Sequence, residues 1–215
     1  MPIRKIPKNY RNVTGVAASN KAVGAAQFES TLERDFLTVL EFSPEVERFE
    51  VQPLKIEWRD AQGGHRSYTP DVLVEFKAET GRTPWLCEVK YRADLKRDWD
   101  ELHPKFRRGI RLARQKSWRF RLITEVEIRT VYLDNIRFLK PFKYRSIPEA
   151  STDKLLHQLR SDHHSTPTGL LQSLARDADG QAEWVPVLWH LVANHRIGAD
   201  LELELTMDSP IWSVT

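Results

Sequence analysis

Cysteine is almost absent: Cys87 is the only one in 215 residues, which excludes an internal disulfide. Its strand-like apolar neighbours make it a core residue rather than a nucleophile, and a lone thiol suits a reducing cytoplasm. The seven histidines fall into no zinc spacing, and His163-His164 lies in a polar stretch. No run of about 18 apolar residues exists, which leaves no candidate membrane span. The N-terminal stretch is basic but lacks the apolar segment of a secretory signal. What remains, 40% hydrophobic and 29% charged residues, is the composition of a soluble globular chain of one or two domains with an ample core.

Acidic residues are unevenly spread. Residues 1–145 hold 29 Lys/Arg against 20 Asp/Glu, net +9, whereas residues 146–215 hold 4 against 10, net −6. This asymmetry predicts a basic part that meets nucleic acid and an acidic part that does not.

The most informative stretch is 69–90. Val72 to Phe76 and Trp85 to Val89 read as two strands, with the turn residues Glu79-Thr80-Gly81-Arg82 between them. A turn centred between Thr80 and Gly81 predicts an antiparallel hairpin in which Asp71 faces Lys90 and Leu73 faces Glu88. Asp71, Glu88 and Lys90 then share one face, and a slip of one residue would separate them. Two carboxylates beside an ammonium repel unless a hard cation such as Mg²⁺ lies between them. The lysine is left to orient or deprotonate a water, or to offset phosphate charge. Glu-x-Lys alone is equally a pair of solvent-facing residues on an amphipathic strand.

Residues 1–21 carry Arg4, Lys5, Lys8, Arg11 and Lys21 without an acid, a basic arm able to track phosphates. From Phe28 to Phe42 the residues Phe28, Leu32, Phe36, Leu37 and Leu40 recur at helical spacing, and Ser30 to Glu33 spells a capping box in which Glu33 closes on the Ser30 N–H. Ser43-Pro44 ends that helix. Val46 to Trp58 alternates as one or two strands, with Gln52-Pro53 marking an edge or bulge, and Asp60 to Gly64 turns back towards Tyr68.

Beyond Lys90 the residues Leu95, Trp99, Leu102, Phe106, Ile110 and Ala113 step by three and four, with Pro104 expected to kink or divide the helix. Twelve basic residues stand against four acidic ones between Lys90 and Arg121. Lys105, Arg107, Arg108, Arg111 and Arg114 follow the proposed site closely enough to suggest phosphate contact. Trp118 to Ile123 reads as a further strand, with a short helix from Thr124-Glu125 to Leu133 and a linker at 143–150. The pattern is an α/β domain with a mixed central sheet.

Helices are expected at 152–160, at 167–176 with Thr166 as cap, and at 183–195. Leu201 to Leu205 alternates like a strand before the turn at Asp208-Ser209-Pro210. Three helices and a hairpin resemble a winged helix. Trp184, Trp189 and Trp212 are expected to divide between core and contact surface.

In their order, Phe28-Glu29-Ser30-Thr31-Leu32-Glu33, Phe42-Ser43-Pro44-Glu45-Val46, Gln52-Pro53, Tyr68-Thr69-Pro70-Asp71 and Glu88-Val89-Lys90 resemble TnsA, the endonuclease subunit of heteromeric cut-and-paste transposases. The resemblance spans roughly residues 20–140 and implies a restriction-endonuclease-like fold that cuts the 5′ strands of double-stranded DNA at transposon ends. It implies a TnsB-like transposase and a TnsC-like AAA+ regulator as partners, and a bacterial cytoplasmic, nucleoid-associated setting. Carried over by position, the catalytic set is Glu33, Asp71, Glu88 and Lys90. Glu33, Asp71 and Glu88 would hold Mg²⁺, for which Mn²⁺ would substitute. On this footing Glu33 becomes a ligand rather than only a cap.

The expected organisation is a basic arm at 1–21, a restriction-endonuclease-like α/β domain at 22–145, and a winged-helix-like partner-binding domain at 146–215. Two other readings are a stand-alone restriction or repair nuclease of a mobile element and an adaptor that bridges DNA without catalysis.

Overall fold

The computed structural model describes residues 13–162 and 164–214. Arg4, Lys5, Lys8 and Arg11 of the expected basic arm lie outside these residues. The chain divides into two compact units between Ile128 and Arg129.

The first unit begins with a short antiparallel pair, β1 (Gly15–Ala17) and β2 (Ala26–Phe28). Helix α1 (Thr31–Phe42) follows, buries Leu32, Phe36, Leu37 and Leu40, and stops where Pro44 forces Ser43 out of the helical region. Then come β3 (Val46–Val51), β4 (Ile56–Arg59), β5 (His65–Tyr68), β6 (Val72–Phe76) and β7 (Trp85–Val89). Helices α2 (Arg92–Arg97) and α3 (Trp99–Gln115) lead into β8 (Arg119–Ile123) and the single turn α4 (Glu125–Ile128).

The central sheet has the order β3-β6-β7-β8, antiparallel except for the parallel β7–β8 pair. The expected mixed sheet is therefore present. β4 and β5 stand apart as a two-stranded ribbon, turned by Gly63 at φ 80°. Strand β3 is an edge strand ending at Val51, and Gln52, with a φ of 50°, breaks the extended run just before Pro53.

Because strand side chains alternate, the sheet has two distinct faces. Leu73, Leu86 and Phe120 meet Leu112 and Ala113 of α3 on one, and Val72, Val74, Cys87, Val89 and Ile123, all buried, form the other. Gly109 makes the α3 contact possible: a Cβ there would lie 2.6 Å from the Phe120 ring.

Two expectations in this unit are corrected. The helical run after Lys90 divides at Asp98, and Pro104 lies within α3. Its ring displaces only the carbonyl of Asp100, and both residues are exposed, so water can satisfy that group. The expected helix from 125 to 133 breaks at Arg129-Thr130.

The second unit contains α5 (Val131–Lys143), α6 (Glu149–Asp162), β9 (His164–Ser165), α7 (Pro167–Leu174), α8 (Ala178–Ala193), β10 (Ile197–Ala199) and β11 (Ile211–Ser213). The three strands form a sheet ordered β10-β11-β9. The boundary expected at 145/146 is displaced because α5 packs on α8, with Phe138 edge-on to Trp189 at 5.2 Å. Thr166 caps α7 as expected, its hydroxyl accepting the Gly169 N–H.

The strand expected at Leu201–Leu205 is absent. The buried Asn135 amide donates to the Leu201 and Leu203 carbonyls at 2.8 and 2.6 Å and accepts the Leu205 N–H at 3.0 Å. Backbone groups that a ladder would use are thereby satisfied in an irregular loop. Among the three tryptophans, Trp189 is core, whereas Trp184 and Trp212 are half-buried, the latter lying across Gly198.

Candidate active site

The pairing Val72↔Cys87 places Asp71 level with Glu88, two residues from the expected register. A slip of two preserves the face, so the carboxylates still converge. The Gln52 N–H donates to the Asp71 carbonyl, and the Asp71 N–H to that of Cys87, which fixes this chain end between β3 and β7. Lys90, two residues past Glu88, continues the β7–β8 pairing through its N–H to the Ile123 carbonyl.

The Lys90 ammonium lies 3.0 Å from Glu88 Oε1 and 3.5 Å from Asp71 Oδ2, and also donates to the Val89 carbonyl. Asp71 Oδ2 accepts the Val89 N–H at 2.7 Å. Glu88, only 4% exposed, receives a 2.5 Å hydrogen bond on Oε2 from the buried Tyr68 hydroxyl.

Burial, and then the Glu88 charge, push the Asp71 pKa up to about 7. Burial draws the Lys90 pKa down, but the adjacent carboxylates outweigh it and hold the ammonium above the ordinary lysine range. Of the two roles open to Lys90, a fixed cation fits this setting and a general base does not. Burial, and then Glu88, also raise the Tyr68 phenol, which stays a donor.

Glu33 is engaged elsewhere. Its Oε1 accepts the Ser30 hydroxyl, its Oε2 accepts the Glu29 N–H, and its own N–H donates to Ser30 Oγ. The capping box forms, closed on the Glu29 N–H rather than that of Ser30. Thr31 and Tyr91 meet at 3.3 Å, which ties the first turn of α1 to the residue after Lys90. Accordingly the Glu33 charge still acts on Asp71 and Lys90.

Among the described residues no group of three His, Cys, Asp or Glu side chains is close enough to hold a metal. The structure thus unites Asp71, Glu88 and Lys90 and leaves Glu33 in the cap. Two carboxylates are a sufficient protein contribution for Mg²⁺, which retains waters and recruits substrate phosphate oxygens, so the donor chemistry fits that ion.

Nothing in the sequence gives Tyr68 a role at the site beyond its place in the Tyr68-Thr69-Pro70-Asp71 block. Its partner lies 20 residues away, and the only available signal was a hydroxyl-bearing aromatic just before Thr69-Pro70-Asp71. Phe106 of α3 packs against its ring at 6.4 Å, edge-on, so Tyr68 links that helix to Glu88.

Arg107, Arg111 and Arg114 are exposed on α3. Arg108 is partly turned over Trp58 of the β4–β5 ribbon, and Lys105 is paired with Glu101 at 2.7 Å. Cys87 is wholly buried, and burial raises its pKa, as a core thiol requires. No helix among the described residues is long and apolar enough to cross a membrane.

Residues 43–125 match the family model described as TnsA-like endonuclease N terminal, and residues 127–201 match that described as TnsA endonuclease C terminal. The junction of the matches falls beside the boundary between the two units. No curated protein matches the chain.

Proposed function

From a chain that belongs to the TnsA family of endonucleases across both of its units, we propose a Mg²⁺-dependent enzyme that hydrolyses the 5′ strands at transposon ends. The family makes the chain a nuclease subunit of a transposase. The convergence of Asp71, Glu88 and Lys90 carries the finer reading.

In this reading Asp71 and Glu88 would hold the metal, which when bound would supply Lewis-acid stabilisation and a more acidic attacking water. Tyr68 and the Val89 N–H keep the two carboxylates aimed, so little reorganisation precedes the reaction. Lys90 offsets charge on the scissile phosphate and orients the water as a hydrogen-bond donor. Arg107, Arg111 and Arg114 bind the flanking phosphates without reading sequence. Glu33 would become a third carboxylate ligand only by giving up its cap. Mn²⁺ substitutes for Mg²⁺ because both accept carboxylate oxygen. A TnsB-like transposase and a TnsC-like regulator are the expected partners, and the second unit is the docking module for them.

The test is strand-resolved cleavage of an end-labelled transposon-end duplex, with and without the TnsB-like partner. Cutting confined to the 5′ strand, abolished by Asp71→Ala or Glu88→Ala, is the expected result. Near-normal cleavage by either variant would sink the site. Efficient cutting of plain duplex by the chain alone would favour a stand-alone nuclease.

A further inference from the structure

The apolar stripe after Lys90 does not all enter the core. Phe106 and Ala113 are buried, but Trp99 is 46% exposed and, with Leu95, lines a cavity of about 630 Å³. Leu122 and Thr124 line it as well. Leu122 pairs with Glu88 across the parallel β7–β8 ladder, so the two side chains share a sheet face, about 4.8 Å apart along the hydrogen-bonding direction. The cavity therefore opens one strand away from the carboxylates.

Its rim is cationic. Arg92 and Lys96, one helical turn apart on α2, are both exposed, and neither makes a salt bridge to another described residue. The one acid in the wall, Glu127, is exposed and accepts the Thr124 N–H at 2.8 Å and the Thr124 hydroxyl at 2.5 Å, so two cations stand against one acid. One side of the Trp99 ring is stacked on His103 at 5.3 Å, and its edge meets Phe106 at 6.2 Å. A rigid aromatic surface beside paired cations is the arrangement that binds single-stranded nucleic acid, with bases on the ring and phosphates on the cations.

We propose that this cavity receives an unpaired DNA base adjacent to the cleaved phosphate, stacked on Trp99, while Arg92 and Lys96 hold the phosphates on either side. The proposal rests on the nuclease reading for the position of the cleaved phosphate, and assigns the cavity a separate task, holding an opened strand. A base inside a duplex is covered on both faces by its neighbours, so only a nucleotide drawn out of the stack can use the ring. An apolar side chain of a protein partner would fill the cavity equally well, but would leave the excess of two cations over one acid unmatched.

Binding is measured on the full chain in EDTA, where no metal-dependent hydrolysis occurs. The probes are a fluorescent 12-nucleotide oligothymidylate and an abasic oligonucleotide of equal length and charge. The chain should prefer the base-bearing probe by about tenfold, as one stacked base would give. Trp99→Ala should erase that preference while leaving abasic affinity unchanged, which also shows that the fold survives, and Trp99→Phe should retain most of it. Arg92→Gln with Lys96→Gln should weaken both probes alike. Equal affinity of the unmodified chain for the two probes, or a preference that survives Trp99→Ala, overturns the proposal and assigns the cavity to a protein side chain. Preference without any metal-dependent cleavage, even with the TnsB-like partner present, would refute the nuclease reading alone, and cleavage without preference would refute the cavity alone.

Discussion

At the scale of single residues, the site depends on how two carboxylates are held. Tyr68→Phe removes the hydroxyl that fixes Glu88 and little else, so Mn²⁺ affinity and turnover should each fall about 10–100-fold with thermal stability nearly kept. Binding measured by Mn²⁺ titration at unchanged affinity would deny Tyr68 this role. Asp71 gives a pH dependence. Its pKa, raised to about 7 in the fold from an ordinary value near 4, favours the folded state most below about pH 4. That contribution is lost as pH rises through about 7. Metal binding runs the other way, since the cation must displace the proton: affinity should drop up to about tenfold per unit below pH 7 and level off above it. Calorimetric titration should show this slope flattened in Asp71→Asn. The convergence of Asp71, Glu88 and Lys90 was legible in the sequence because alternation preserves a face through a two-residue slip. The Tyr68 bond was not legible, since no periodicity reports a contact between the end of one strand and the middle of another.

At the scale of elements, α1 and α3 carry the separable questions. Glu33→Gln keeps one accepting oxygen for the cap but removes the charge, whereas Glu33→Ala removes both. If Glu33 joins the metal, both variants lose cleavage and only Glu33→Ala loses about 1 kcal/mol of stability by denaturant unfolding. Full cleavage by Glu33→Gln would confine the residue to its cap. On α3, Gly109→Ala gains helix propensity of at most about 1 kcal/mol. The new Cβ meets the Phe120 ring, and overpacking of this kind costs about 1–3 kcal/mol, so the net effect should be a lower melting temperature and weaker cleavage. Periodicity found these helices but misplaced their breaks. Pro104 was the visible signal, yet a proline with an exposed carbonyl behind it is tolerated, and the chain divides at Asp98 instead. Leu201–Leu205 fails as a strand for another reason: alternation cannot register the Asn135 side chain, 66 residues earlier, that takes over its backbone groups.

For the whole molecule, the boundary changes the charge argument. Moved from 145/146 to 128/129, it gives the second unit 9 Lys/Arg against 11 Asp/Glu, net −2 in place of −6. Acidity is then local, in Glu202, Glu204 and Asp208 on the exposed loop after β10, rather than a property of the unit. Replacing Arg107, Arg111 and Arg114 by Ala should flatten the salt dependence of DNA affinity by about 0.9 in log–log slope for each phosphate no longer neutralised. Replacing Glu202, Glu204 and Asp208 by their amides should leave that slope alone and weaken stimulation by the TnsB-like or TnsC-like partner. An unchanged slope in the first variant would put the DNA on another surface. Finally, the single thiol lies in an inner strand of the sheet, fully covered, with burial holding it in its unreactive form. A thiol reagent can reach Cys87 only when the first unit opens, so the rate of labelling is a clock on that opening. Any cation seated on Asp71 and Glu88 must slow the clock in proportion to its occupancy, which lets the unmutated chain report its own metal affinity without cutting DNA.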